Sequence, residues 1–146
     1  MKKGSRAHYG AHRERARALI TQKVAHWNAY YAAAGHVFEI RRIAIRNQKT
    51  RWGSCSKQGN LNFNYKLALL PEVLVDYVVV HEICHRGEFN HSRAFWDLVA
   101  KAIPDHGERR AQLRRMEREM YVTAHPGRLG FFETVLKNWG RNRGAQ

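Results

Sequence analysis

The most apolar stretch of this chain is also the one that carries its densest chemistry. From Val73 to Val80 only Asp76 breaks a run of aliphatic and aromatic residues, and His81-Glu82-Ile83-Cys84-His85 follows at once. β-Branching by itself would suggest a strand, and periodicity does not separate a buried strand from a buried helix. Pro71 fits the first turn of a helix, where its missing N–H is no loss, and Gly87 fits the end of one. The expected element is a buried helix from about Pro71 to Arg86, around which the remaining segments must pack.

On such a helix residues four apart share a face, with β-carbons roughly 5–6 Å apart, so the imidazoles of His81 and His85 can meet one zinc ion. Glu82 is rotated by about 100° from His81, which sets its carboxylate beside a metal-bound water rather than on the metal. Zinc lowers the pKa of that water to about 7 and polarises a scissile carbonyl, so Glu82 is the candidate general base that passes the proton to the leaving amine. The chemistry expected is amide hydrolysis. Catalytic zinc takes three protein ligands and leaves one position open. His91, six residues after His85, leads among the third candidates because Gly87 lets the chain leave the helix and fold back. Glu88, Asp97, His106, Glu108 and His125 are its rivals, and a hydrogen-bonded histidine pair without metal is the plainer alternative. Asp76, His26 and His36 read as surface or capping groups.

The flanking segments supply the rest of a fold. Ala16, Leu19, Ile20, Val24, Trp27 and Tyr31 recur at helical spacing over His12 to Ala34, and Gly35 is placed to stop that helix. From His36 to Arg46 the pairs Phe38, Ile40 and Ile43, Ile45 alternate with charged or small residues as in a half-buried strand, with a bulge expected around Arg41-Arg42. Leu61, Phe63 and Tyr65 alternate again after the turn-like Lys57-Gln58-Gly59-Asn60. A further helix is expected from Ser92 to before Pro104, and another from Glu108 to Tyr121 with Leu113, Met116 and Met120 inward.

With 146 residues and 44% hydrophobic content the chain suits one folded domain. No run approaches the roughly 18 to 20 apolar residues of a spanning helix. The basic amino terminus lacks the apolar block of a secretory signal, and two cysteines, Cys55 and Cys84, read as buried thiols of a reduced chain, so a cytoplasmic location is expected. The net charge of +14 is unevenly spread, at +10 over residues 1–51, −1 over 52–100 and +5 over 101–146. Basic flanks around a neutral centre attract polyanions. A nucleic-acid-binding module with a structural metal is therefore the alternative to an enzyme. The divisions expected are a basic arm at 1–11, the folded domain at 12–125 and a basic extension at 126–146 that frays toward its end. No feature specifies an oligomeric state.

Arg51-Trp52-Gly53-Ser54-Cys55-Ser56, Asn64, the stretch Asp76 to His85, and Asn90-His91-Ser92-Arg93-Ala94-Phe95-Trp96 together resemble the YgjP-like metallopeptidases, which are related to the WLM and SprT-like proteins. The likeness runs from about Tyr9 to Leu113. It implies a minimal zincin-like α+β domain, with an N-terminal helix, a small sheet or hairpin, the HExxH helix and following C-terminal helices. It further implies His81, His85 and His91 as zinc ligands, Glu82 as catalytic acid and base, and a protein or peptide as substrate. Arg86 departs from the leucine common in the family. The Arg51–Ser56 block has no catalytic meaning from first principles: Trp52 is expected in the core and the Gly53-Ser54 turn over the cleft, where an edge strand could pair with an extended peptide.

Overall fold

The computed structural model describes residues 3–124. They form α1 (Lys3–Ala33), β1 (Arg42–Arg46), β2 (Gly53–Cys55), β3 (Asn60–Asn64), a 3₁₀ turn (Tyr65–Leu69), α2 (Glu72–Cys84), α3 (Arg93–Ala102) and α4 (His106–Ala124). Four helices and one small sheet make the α+β architecture expected. The extension at 126–146 and His125 lie outside the described residues. No described helix is long and apolar enough to cross a membrane.

The run after Pro71 is helical, and its buried residues extend from Leu74 to Cys84. Pro71 accepts the first helical bonds, from Leu74 N at 2.9 Å and Val75 N at 3.3 Å, so the ring opens the helix at no cost in donors. Helix α1 begins at Lys3 rather than His12. Its extra turns are anchored by Tyr9, whose hydroxyl donates to the Ile45 carbonyl at 3.3 Å and whose ring meets Tyr65 edge to face at 5.1 Å. Farther along, Ala16, Ile20, Val24 and Tyr31 turn one stripe of α1 into the core. Gly35, at φ +90°, then reverses the chain, and His36 N reaches back to the Tyr31 carbonyl at 2.8 Å.

The sheet departs most from expectation. Residues 36–41 are not strand, and β1 starts at Arg42 without a bulge. The strand order is β1-β3-β2, with β1 parallel to β3 and β2 antiparallel to it. Gly53 and Ser54 are therefore strand residues, paired with Phe63 and Asn62, and not the turn that their composition suggests. The turn is made by Gly59 at φ +91°, where an added Cβ would lie 2.8 Å from the Glu39 carbonyl oxygen. Asn64 secures the crossover between β1 and β2. Its side-chain amide donates to the carbonyls of Gln48 at 2.8 Å and Arg51 at 3.0 Å, while its oxygen accepts from Lys66 N at 3.0 Å.

Asp76 also differs from its sequence reading. Rather than a surface group, it is a half-buried acceptor for the Trp27 indole at 2.9 Å and for Lys23 at 3.1 Å, which ties α2 to α1. Trp52 is buried as expected, and its indole donates to Glu117 on α4. Cys84 is buried but Cys55 is only half-buried.

Candidate metal centre

Helix α2 ends at Cys84, and the next few residues turn the chain back upon it. Arg86 N bonds to the Ile83 carbonyl at 2.9 Å, and the N–H groups of Gly87 and Glu88 both reach the Cys84 carbonyl at 3.0 Å. The glycine is required for space: a Cβ at Gly87 would lie 3.0 Å from two ring carbons of Phe38 and 3.1 Å from Leu98 Cδ2. Arg86 braces the same corner, its guanidinium donating to the carbonyls of Glu39 at 2.9 Å and Lys57 at 2.8 Å. Ser92 caps α3 by accepting from Phe95 N at 3.3 Å, which brings His91 to the start of that helix.

The result is a convergence of three imidazoles. His81 Nε2 stands 3.3 Å from His85 Nε2 and 3.1 Å from His91 Nε2. Ligand nitrogens of the three residues lie within 4.8 Å of one another, and they form the one such cluster among the described residues. Two nitrogens held at 2.0–2.1 Å from one tetrahedral ion are roughly 3.3 Å apart, so these separations fit a metal ion of zinc's size. His85 Nδ1 lies 3.1 Å from the Glu88 carbonyl oxygen. A carbonyl only accepts, so Nδ1 carries the proton and Nε2 presents its lone pair toward the other two rings.

Glu82 is fully buried on the same helix. A Cβ at Gly53 would fall 3.0 Å from Glu82 Cγ, 3.1 Å from the Asn62 carbonyl oxygen and 3.2 Å from Phe63 Cδ1. Strand β2, the sheet edge, thus runs against the glutamate. Tyr77, one turn before His81, meets that histidine edge to face at 5.9 Å. Tyr65 packs on Tyr9.

Of the other candidate ligands, Glu88, Asp97 and Glu108 are exposed. Asp97 stands 4.0 Å from Arg93. His106 stacks on Trp96 at 5.2 Å and is not in the cluster. Cys84 faces α1, its thiol donating to the Tyr31 hydroxyl at 3.1 Å, and burial pushes it up to about 12. Sequence reasoning overlooked Gly53 as a contact of Glu82, although a glycine inside a strand signals close approach. It also overlooked Phe95 as a neighbour of the histidines. Phe95 stacks on His85 at 4.4 Å and meets His81 and His91 edge to face at 5.0 Å each.

The family model described as YgjP-like, metallopeptidase domain, matches residues 2–116. Among solved structures the metallopeptidase zymogen of Pyrococcus abyssi abylysin has a similar fold, with a TM-score of 0.59 and 20% identity over 66% of this chain and 93% of that one. No curated protein matches the chain.

Proposed function

Since this chain belongs to the YgjP-like metallopeptidase family, we propose that it hydrolyses peptide bonds with zinc held by His81, His85 and His91 and with Glu82 as general base. The observation that carries the reading is the approach of His85 Nε2 and His91 Nε2 to 3.3 and 3.1 Å from His81 Nε2, close to the spacing of two ligands on one tetrahedral ion, with ligand nitrogens of all three residues within 4.8 Å of one another. When bound, zinc supplies Lewis acidity to the scissile carbonyl and acidity to water. Glu82 takes the proton of the attacking water and delivers it to the leaving amine. Its burial against β2 keeps it away from bulk water and fixes its approach. Edge strand β2 is suited to pair with an extended substrate backbone, which would favour unfolded protein or peptide over a folded surface.

The catalytic unit is the 12–125 domain together with residues 3–11, which continue helix α1 and pack through Tyr9, operating in the cytoplasm, and its basic flanks are residues 1–51 and 101–146. Those flanks suit recruitment by nucleic acid, and salt-sensitive DNA binding that survives Glu82→Gln would separate recruitment from catalysis.

The test is metal content together with cleavage of an unfolded protein. One zinc per chain is expected, with cleavage abolished by a chelator and restored by zinc. His81→Ala, His85→Ala and His91→Ala should each lose zinc, whereas Glu82→Gln should keep it and lose about 10²- to 10⁴-fold in kcat. Full zinc content in any of the three histidine variants overturns the ligand assignment. Undiminished turnover in Glu82→Gln overturns the role of the base.

A further inference from the structure

We infer that Trp96 is a positioning residue that sets the metal affinity of the site by holding the ring of His91, and that it is itself held by His106 and Arg110 on α4. This rests on the assignment of the three histidines as ligands. His81 and His85 stand close together near the end of α2, their spacing dictated by the helix. His91 sits in the turn before α3, where the broad χ2 torsion of histidine makes the packing around its ring part of what sets its orientation.

Aromatic side chains pack against that ring. Trp96 lies near-parallel to His91, with centroids 5.8 Å apart and 23° between the planes, and meets His81 at 5.8 Å and 71°. Phe95, fully buried, closes the same side against all three imidazoles. Trp96 also lies near-parallel to His106, at 5.2 Å and 18°, and the Arg110 guanidinium stands 5.4 Å from its ring. A continuous contact therefore runs from the ligand in the loop, through α3, to the first two turns of α4. Groups that orient a metal ligand without touching the metal are commonly worth about 10- to 100-fold in affinity, and the apolar shell around a site controls its access to water. Neither contribution is visible in the three histidines themselves.

The experiment is zinc affinity measured on the full chain by competition with a chromophoric chelator, with far-UV circular dichroism to report folding. Trp96→Ala should bind zinc about 10- to 100-fold more weakly, and Trp96→Phe, which keeps a ring against His91, should recover most of that loss. His106→Ala should weaken binding by a smaller factor, while His106→Phe, which keeps the stack and removes the imidazole, should bind as wild type does. If Trp96→Ala fails to fold, the His106 pair decides the matter. Wild-type affinity in both alanine variants would overturn the inference, as would His106→Phe losing zinc as fully as His106→Ala. Failure of the ligand assignment would look different, because the wild-type chain would then bind no zinc or His91→Ala would retain it.

Discussion

The backbone of Gly53 lies directly against the side chain of Glu82, so close that a Cβ there would stand 3.0 Å from Glu82 Cγ. This contact explains what glycine does in the Arg51–Ser56 block. It allows the edge strand to approach the buried carboxylate with no intervening side chain, and the Asn62 carbonyl and Phe63 ring close the other directions in which an added methyl could move.

Gly53→Ala should consequently damage catalysis more than metal binding. The methyl must displace either β2 or Glu82, and a misplacement of the order of 1 Å in a catalytic group costs about 100-fold in rate. Overpacking should add about 1–3 kcal/mol of destabilisation. Zinc content, the denaturation midpoint and kcat measured on one preparation check this, with zinc expected to stay near one per chain. A variant as active and as stable as wild type would mean that the cleft wall yields freely.

Glu117 makes stability depend on pH. Burial pushes its carboxyl up to about 7 from an ordinary 4.5, against the opposing pull of the Trp52 indole bond and of Arg114. Between those two values the folded chain holds a proton that the unfolded chain has released, so stability is fully present below about 4.5 and declines as pH rises toward 7. Glu117→Gln keeps an acceptor for Trp52 and removes the charge. It should be more stable than wild type by about 1–3 kcal/mol at pH 8 and show no such gain at pH 4, as read from urea midpoints at the two pH values. A gain independent of pH would contradict the account.

Tyr31 and Cys84 form a buried seam between α1 and α2. The Tyr31 hydroxyl donates to the Leu98 carbonyl at 2.8 Å and accepts from the Cys84 thiol. Tyr31→Phe strands both partners inside the core and should cost about 1–3 kcal/mol in stability. The same burial raises both the Tyr31 phenol and the Cys84 thiol, so Cys84 should resist iodoacetamide at pH 8 until the chain unfolds, while half-buried Cys55 reacts first. Mass spectrometry of native and urea-treated protein distinguishes the two sites.

Much of the helical framework could be read locally. Pro71 and Gly87 bracket α2, Ser92 and Pro104 bracket α3, and Gly35 ends α1, because caps and breakers act within a few residues of where they stand. The sheet was legible only in part: alternation at Ile43 and Ile45 and at Leu61 and Phe63 marked β1 and β3, but not how they pair. Strand β2 has only the three residues Gly53–Cys55, too short for an alternation, and it is a strand because β3 offers it a partner. The parallel pairing of β1 with β3 depends on a crossover held by the side chain of Asn64, a contact between residues 13 and 16 positions apart. Asp76 looked like a surface group since nothing near it in sequence announces Trp27, 49 positions away, or Lys23.

The amino-acid order alone determined that two imidazoles four residues apart would share one face of an apolar helix, because helical periodicity is a property of the local backbone. Spacing put His91 first among the groups that could join them, and tertiary structure decided the matter. His91, Glu88, Asp97 and His106 were all within plausible reach, and the choice depended on the fold of the Arg86–Ser92 turn, on the space that Gly87 leaves for Phe38 and on the capping of α3. The approach of Gly53 to Glu82 was settled in the same way. It joins strand to helix across the core, and packing at that distance in sequence is chosen by the chain as a whole.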